Sequence, residues 1–139
     1  MGTRSLTHVM DDRLHPLVTI YRQFDGYPSG HGADLAEFLV DRTIVNGIGT
    51  NTPEKASNGM GCLAASLVGW LKGDQIGGIY LEEPGSSDHG EDYTYTIFPS
   101  FDGSVHLRID AHRYLRSPIE LFSGPIKEFD PAGVEAQDY

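Results

Sequence analysis

Two glycine-rich stretches stand directly before helix-forming sequence: Gly30-His31-Gly32 and Asn58-Gly59-Met60-Gly61. Backbone N–H groups at a helix start are free to bind anions, and glycine lets a ligand come close to the backbone. Tyr27 and His31 can stack on a ring or donate hydrogen bonds, Asp25 lies in the same connection, and Arg4 or Arg22 can grip a phosphate with two parallel hydrogen bonds. Arg4, Arg22, Asp25, Tyr27, His31, Asn58, Gly59 and Gly61 therefore make a candidate site for a small anionic, nucleotide-like ligand bound without turnover and without a cofactor. Against this stands plain turn chemistry, which also puts glycine before helices. Neither stretch carries the spacing of a dinucleotide-binding or P-loop fingerprint.

Cys62 is the second candidate, since a thiol near a helix start is activated by the helix dipole. A cysteine-bearing helix followed by strands that carry a histidine resembles the coarse order of papain-like and cell-wall peptidases. The alternative reading is thus a cysteine hydrolase using Cys62 with His31 or His106; His89 is a third partner by sequence. No nucleophile signature surrounds Cys62, and a lone cysteine among Gly, Leu and Ala reads equally as a small buried hydrophobe. No metal site is expected. His106 and His112 share a strand face but stand about 20 Å apart, and neither HExxH nor CxxC occurs.

Charge narrows the partners. The 139 residues hold 10 basic and 20 acidic side chains, a net charge of -10. Up to Gly73 the balance is 6 basic against 7 acidic; after it, 4 against 13. Duplex nucleic acid is disfavoured, because neutralising phosphates needs clustered Lys and Arg. A basic host protein met by the acidic half, with Glu82, Glu83, Glu91 and Asp92 in one loop, is the third reading. The bland account of that loop is a solvated, solubilising segment. A single cysteine allows no intrachain disulfide. With no signal-like apolar core at the start and no run of membrane length, the expected location is the cytoplasm, with no membrane partner; a homo-oligomer is compatible.

These groups need elements to hold them. Ser5–Met10 and Leu17–Phe24 read as a β-hairpin, and residues 25–32 break the strand. From Ala33 a helix follows, with Ala36, Leu39 and Val40 on one side and Asp34, Glu37 and Asp41 on the other. A loop covers 46–57, and a second, mostly buried helix runs from Gly59 or Gly61 to Lys72, stopped by Gly73. Strands are expected at Ile76–Leu81, Tyr93–Phe98 and Val105–His112, the last two joined by an Asp-Gly turn. The order β-β-α-α-β-β-β predicts an α+β two-layer fold: an antiparallel or mixed sheet of about five strands with both helices on one face. Residues 1–139 read as one domain with an acidic tail from 127.

The stretches Thr19–Gly32 (TIYRQFDGYPSGHG) and Asn58–Ala65 (NGMGCLAA) resemble a family of small uncharacterised bacteriophage and prophage proteins. The resemblance extends to Gly2–Thr7, Gly77–Leu81 and Gly90–Tyr93, and so covers most of the chain. It implies a viral or mobile-element accessory protein acting in the bacterial cytoplasm. By that context the function would be anti-defence, sequestering a nucleotide signal of the host.

Overall fold

The computed structural model of the chain describes residues 2–138. Its strands are β1 (Ser5–Met10), β2 (Pro16–Arg22), β3 (Thr43–Val45), β4 (Ala56–Asn58), β5 (Ile79–Glu82), β6 (Tyr93–Pro99), β7 (Val105–Ala111) and β8 (Ile119–Pro125). Its α-helices are α1 (Ala33–Leu39), α2 (Met60–Lys72) and α3 (Pro131–Ala136), and a wide helical turn over Pro28–Gly32 leads into α1. The α+β two-layer expectation holds: a six-stranded mixed sheet in the order β5-β2-β1-β6-β7-β8, plus a small parallel pair β3-β4.

Alternation on the strands decides which side chains meet. β1 pairs antiparallel with β2, so Ser5, Thr7 and Val9 share a face with Arg22, Ile20 and Val18. β1 also pairs parallel with β6, which adds Tyr93, Tyr95 and Ile97 to that face. Across β7 the same face continues through Ala111, Ile109 and Leu107. The core packs this face against Leu35 and Leu39 of α1 and Leu63, Leu67 and Leu71 of α2. Burying these side chains is worth about 1.5–3 kcal/mol each.

The opposite face is covered near β1 and β2. Leu6 and His8 belong to it, and both are buried. The acidic 83–92 loop supplies the contacts there. Gly85 N–H donates to Thr19 Oγ1 at 2.8 Å, and a side chain at Gly90 would collide with the Arg4 guanidinium. Burial lowers the pKa of His8, and the nearby Glu91 carboxylate opposes the shift. A loop read as solubilising is therefore also a covering segment.

Three features go beyond the sequence reading. The sheet has six strands, because β8 forms from Ile119–Pro125, a stretch too short in apolar residues to declare itself. The 46–57 loop closes with β4, whose pairing with β3 is non-local. The acidic tail is folded: Phe129 and Val134 enter the core, and Asp138 pairs with Arg113 and accepts the Tyr93 hydroxyl at 2.6 Å.

Candidate functional site

The 22–34 segment gathers half of the candidate residues. Arg22, at the end of β2, points to the helix side, where Nη1 donates to Asp34 Oδ2 at 2.7 Å and Nε donates to the Phe24 carbonyl at 2.7 Å. Nη1 also lies 3.1 Å from His31 Nδ1. An arginine only donates, so Nδ1 is the acceptor and the proton sits on Nε2. That nitrogen is 2.7 Å from Thr7 Oγ1, to which it donates. The ring is fully buried and makes an edge contact with Tyr95, whose hydroxyl donates to the Gly26 carbonyl at 2.7 Å. Burial, then the Arg22 charge, lowers the His31 pKa to about 3, so the ring stays neutral.

This order of donors is the reverse of a nucleophile–base pair. A histidine that donates to a hydroxyl cannot take that hydroxyl's proton. Both His31 nitrogens are engaged by Thr7 and Arg22, whereas Cys62 is an exposed residue of α2. His106 sits on β7, its ring 5.5 Å from Phe98. Of the histidines considered for Cys62, His31 is thus held at both nitrogens, and His89 Nε2 lies 3.0 Å from Ser86 Oγ. The reading of Cys62 as a buried hydrophobe also needs correction, since the buried stripe of α2 runs through Met60, Leu63, Ala64, Leu67 and Leu71. Trp70 lies off that stripe too and is 44% exposed, so α2 is buried on one side only.

The two glycine-rich starts lie apart. At the first, Ser29 N–H and the Ser29 hydroxyl both donate to Glu135 Oε1, at 3.0 and 2.8 Å, so a carboxylate from α3 occupies the donors expected for an anion. At the second, Gly59 stands at φ 85° before α2, and Asn58 Oδ1 accepts Gly47 N–H at 2.8 Å. Gly59 and Gly61 border a different hollow, shared with Asp11 and Asp12. Arg4 falls on the opposite face of the sheet from Arg22: its backbone N–H donates to Asp92 Oδ2 at 3.0 Å, and its guanidinium meets Gly90. Tyr27 stays with the first group, its hydroxyl 3.3 Å from Asp25 Oδ1, and Asp25 raises its pKa.

A cleft of about 280 Å³ opens beside Arg22, between the starts of α1 and β5 and the end of α2. Arg22, Phe24, Asp25, Asp34, Glu37 and Trp70 line it, with Leu71, Gln75, Gly78 and Ile79 behind. Phe24 and Trp70 present exposed aromatic surface. Asp25 adopts φ 61°, in the left-handed region that aspartate enters more readily than most residues. Of the cleft's acids, only Asp34 has an ion pair among the described residues. Phe24, Asp34, Glu37 and Trp70 were not among the residues first singled out. Asp34 and Glu37 had a signal, three residues apart on one helix face. Trp70 had none, because its apolar character pointed inward.

Among the described residues, no group of three His, Cys, Asp or Glu side chains is placed to hold a metal ion, and no helix is long and apolar enough to cross a membrane. Comparison with protein-family models, with curated proteins and with solved structures finds no match for this chain.

Proposed function

We propose that the chain is a non-enzymatic binding protein whose ligand seat is the cleft beside Arg22. Its ligand is small and carries a planar group rich in N–H donors, a guanidinium or an amino-bearing base. The carrying observation is the state of Arg22: its Nη1 is committed to Asp34 and His31 and its Nε to the Phe24 carbonyl, so its charge is already balanced by a carboxylate. Asp25 and Glu37 leave it net acidic, and the exposed rings of Phe24 and Trp70 suit a planar cation. The nucleotide-like reading moves accordingly from phosphate to ring. A base with amino groups fits these walls, whereas a phosphate would meet three carboxylates.

The donor order at His31 removes that ring as a general base for the Thr7 hydroxyl. An accessory role in a phage or prophage setting stays a proposal with the same seat.

Titration calorimetry with agmatine, adenine and AMP tests the reading. Agmatine or adenine should bind saturably, and Glu37→Gln and Trp70→Ala should each weaken binding about 5–30-fold, as loss of a central contact does. Tighter binding of AMP, unaffected by Glu37→Gln, would return the site to anions.

A further inference from the structure

Two turns at one end of the sheet, 11–15 between β1 and β2 and 100–104 between β6 and β7, are built alike. An aspartate braces each. Asp11 Oδ1 accepts the backbone N–H groups of Arg13 and His15, both at 2.9 Å. Asp102 Oδ1 accepts the Ser104 N–H at 3.0 Å and the Ser104 hydroxyl at 2.6 Å. These hydrogen bonds hold both carboxyls below their ordinary range, so they stay charged near neutral pH.

Each braced turn presents one large apolar side chain to solvent. Leu14 is 63% exposed and sits at φ 61°, in the left-handed region that a bulky residue rarely adopts. Phe101 is fully exposed. Leu14, Phe98, Pro99 and Phe101 line an apolar hollow of about 570 Å³. A second hollow of about 480 Å³ holds Leu17, Ile44, Val45 and Met60, and the two share Asp12 and Pro99. Glycine would suit position 14 for folding alone, since it takes positive φ without a clash. A leucine held there and left in solvent points to use by a partner.

We propose that this end of the sheet is a docking surface for a basic protein segment, with Leu14 and Phe101 as apolar anchors and Asp11, Asp12 and Asp102 as the charged rim. Charge selects that occupant. A second copy would bring the same net charge of -10, and an anionic lipid surface would be repelled alike. Arg13 stands beside Asp11 and Asp12, and Arg42 and Lys127 border a hollow with Asp41 and Asp102, so the four carboxylates exceed the three cations by one. Lys and Arg side chains, apolar along their stems and charged at their tips, match an apolar floor edged by carboxylates. Anchors already fixed by braced turns lose little freedom on binding. This surface is separate from the cleft beside Arg22 and stands without it.

Fluorescence anisotropy of a labelled 18-residue Leu/Lys amphipathic peptide, titrated with the full chain, tests the proposal. The double variant Leu14→Gly/Phe101→Ser should bind about 5–30-fold more weakly. Glu120→Gln, beside Asp110 at the opposite end of the sheet, should stay within about twofold. Leu14→Gly alone should weaken binding with an unchanged or raised melting temperature, which a merely structural leucine would not do. Undiminished peptide binding by the double variant would overturn the proposal. So would sedimentation showing a dimer that the double variant dissociates, since that assigns the surface to a second copy.

Discussion

The two glycine-rich helix starts look alike in sequence and differ in the folded chain. The Pro28–Gly32 turn is closely packed: His31 is fully buried, Glu135 takes the Ser29 donors, and a side chain at Gly30 would reach the Asp25 carbonyl at 2.5 Å. The Gly59–Gly61 start is open: α2 has no side-chain cap, and a side chain at Gly61 would meet nothing within 4 Å. The same residue type serves close packing at one start and little more than chain direction at the other. A glycine-rich motif reports a need for space, and only its neighbours show whether the space is for a ligand or for the protein.

Acid should reveal the difference most strongly. Folding holds His31 neutral down to about pH 3, whereas the unfolded ring takes its proton near 6.5. Between those values the unfolded chain binds the extra proton, so stability is full above pH 6.5 and falls as the pH drops. Over pH 6.5 to 4 the loss should reach about 3 kcal/mol, read by urea unfolding at a series of pH values. His31→Gln should abolish that part of the slope; an unchanged slope would mean the buried ring is not its source.

Substitution of the glycines should come next. Gly30→Ala drives a methyl group into backbone and should cost about 2 kcal/mol, seen as a lower urea midpoint. Removing the carboxylate that fills the first start, Glu135→Ala, should cost about 1 kcal/mol, the usual loss for an N-terminal helix partner. Gly61→Ala should do the opposite and stabilise by about 0.5–1 kcal/mol, because alanine restricts the unfolded chain and fits the helix. Equal penalties at Gly30 and Gly61 would erase the contrast between the two starts.

The smallest expected effect concerns Cys62. As an exposed residue on the open start, it should react with a neutral thiol reagent at about the same rate in native and urea-unfolded protein. Much slower native labelling would place it in the core.

Local pattern made the elements legible where it was strong. β1 matches its expected span from Ser5 to Met10, α2 ends at Lys72 before Gly73, and β7 buries Val105, Leu107, Ile109 and Ala111 in strict alternation. The pattern failed where burial is supplied from far away. β3 and β4 are three residues each, and the tail folds where Phe129 and Val134 enter the core and Arg113, Tyr93 and Ser29 bind its carboxylates. Of the candidate ligands, Arg22, Asp25, Tyr27 and His31 do lie in one neighbourhood, being close in sequence. Arg4 does not, because strand alternation sends it to the other face.

The sequence alone determined the α+β class, the acidic surface and the position of the main elements, since each depends on composition or on a period of a few residues. Tertiary structure decided the sign of the candidate site. Arg22 reads as an anion ligand until Asp34, twelve residues on, takes its charge. His31 reads as a base until Arg22 and Thr7 fix its proton. Both outcomes arise because a charge or a ring nitrogen has few partners to give, and folding assigns them before any ligand arrives.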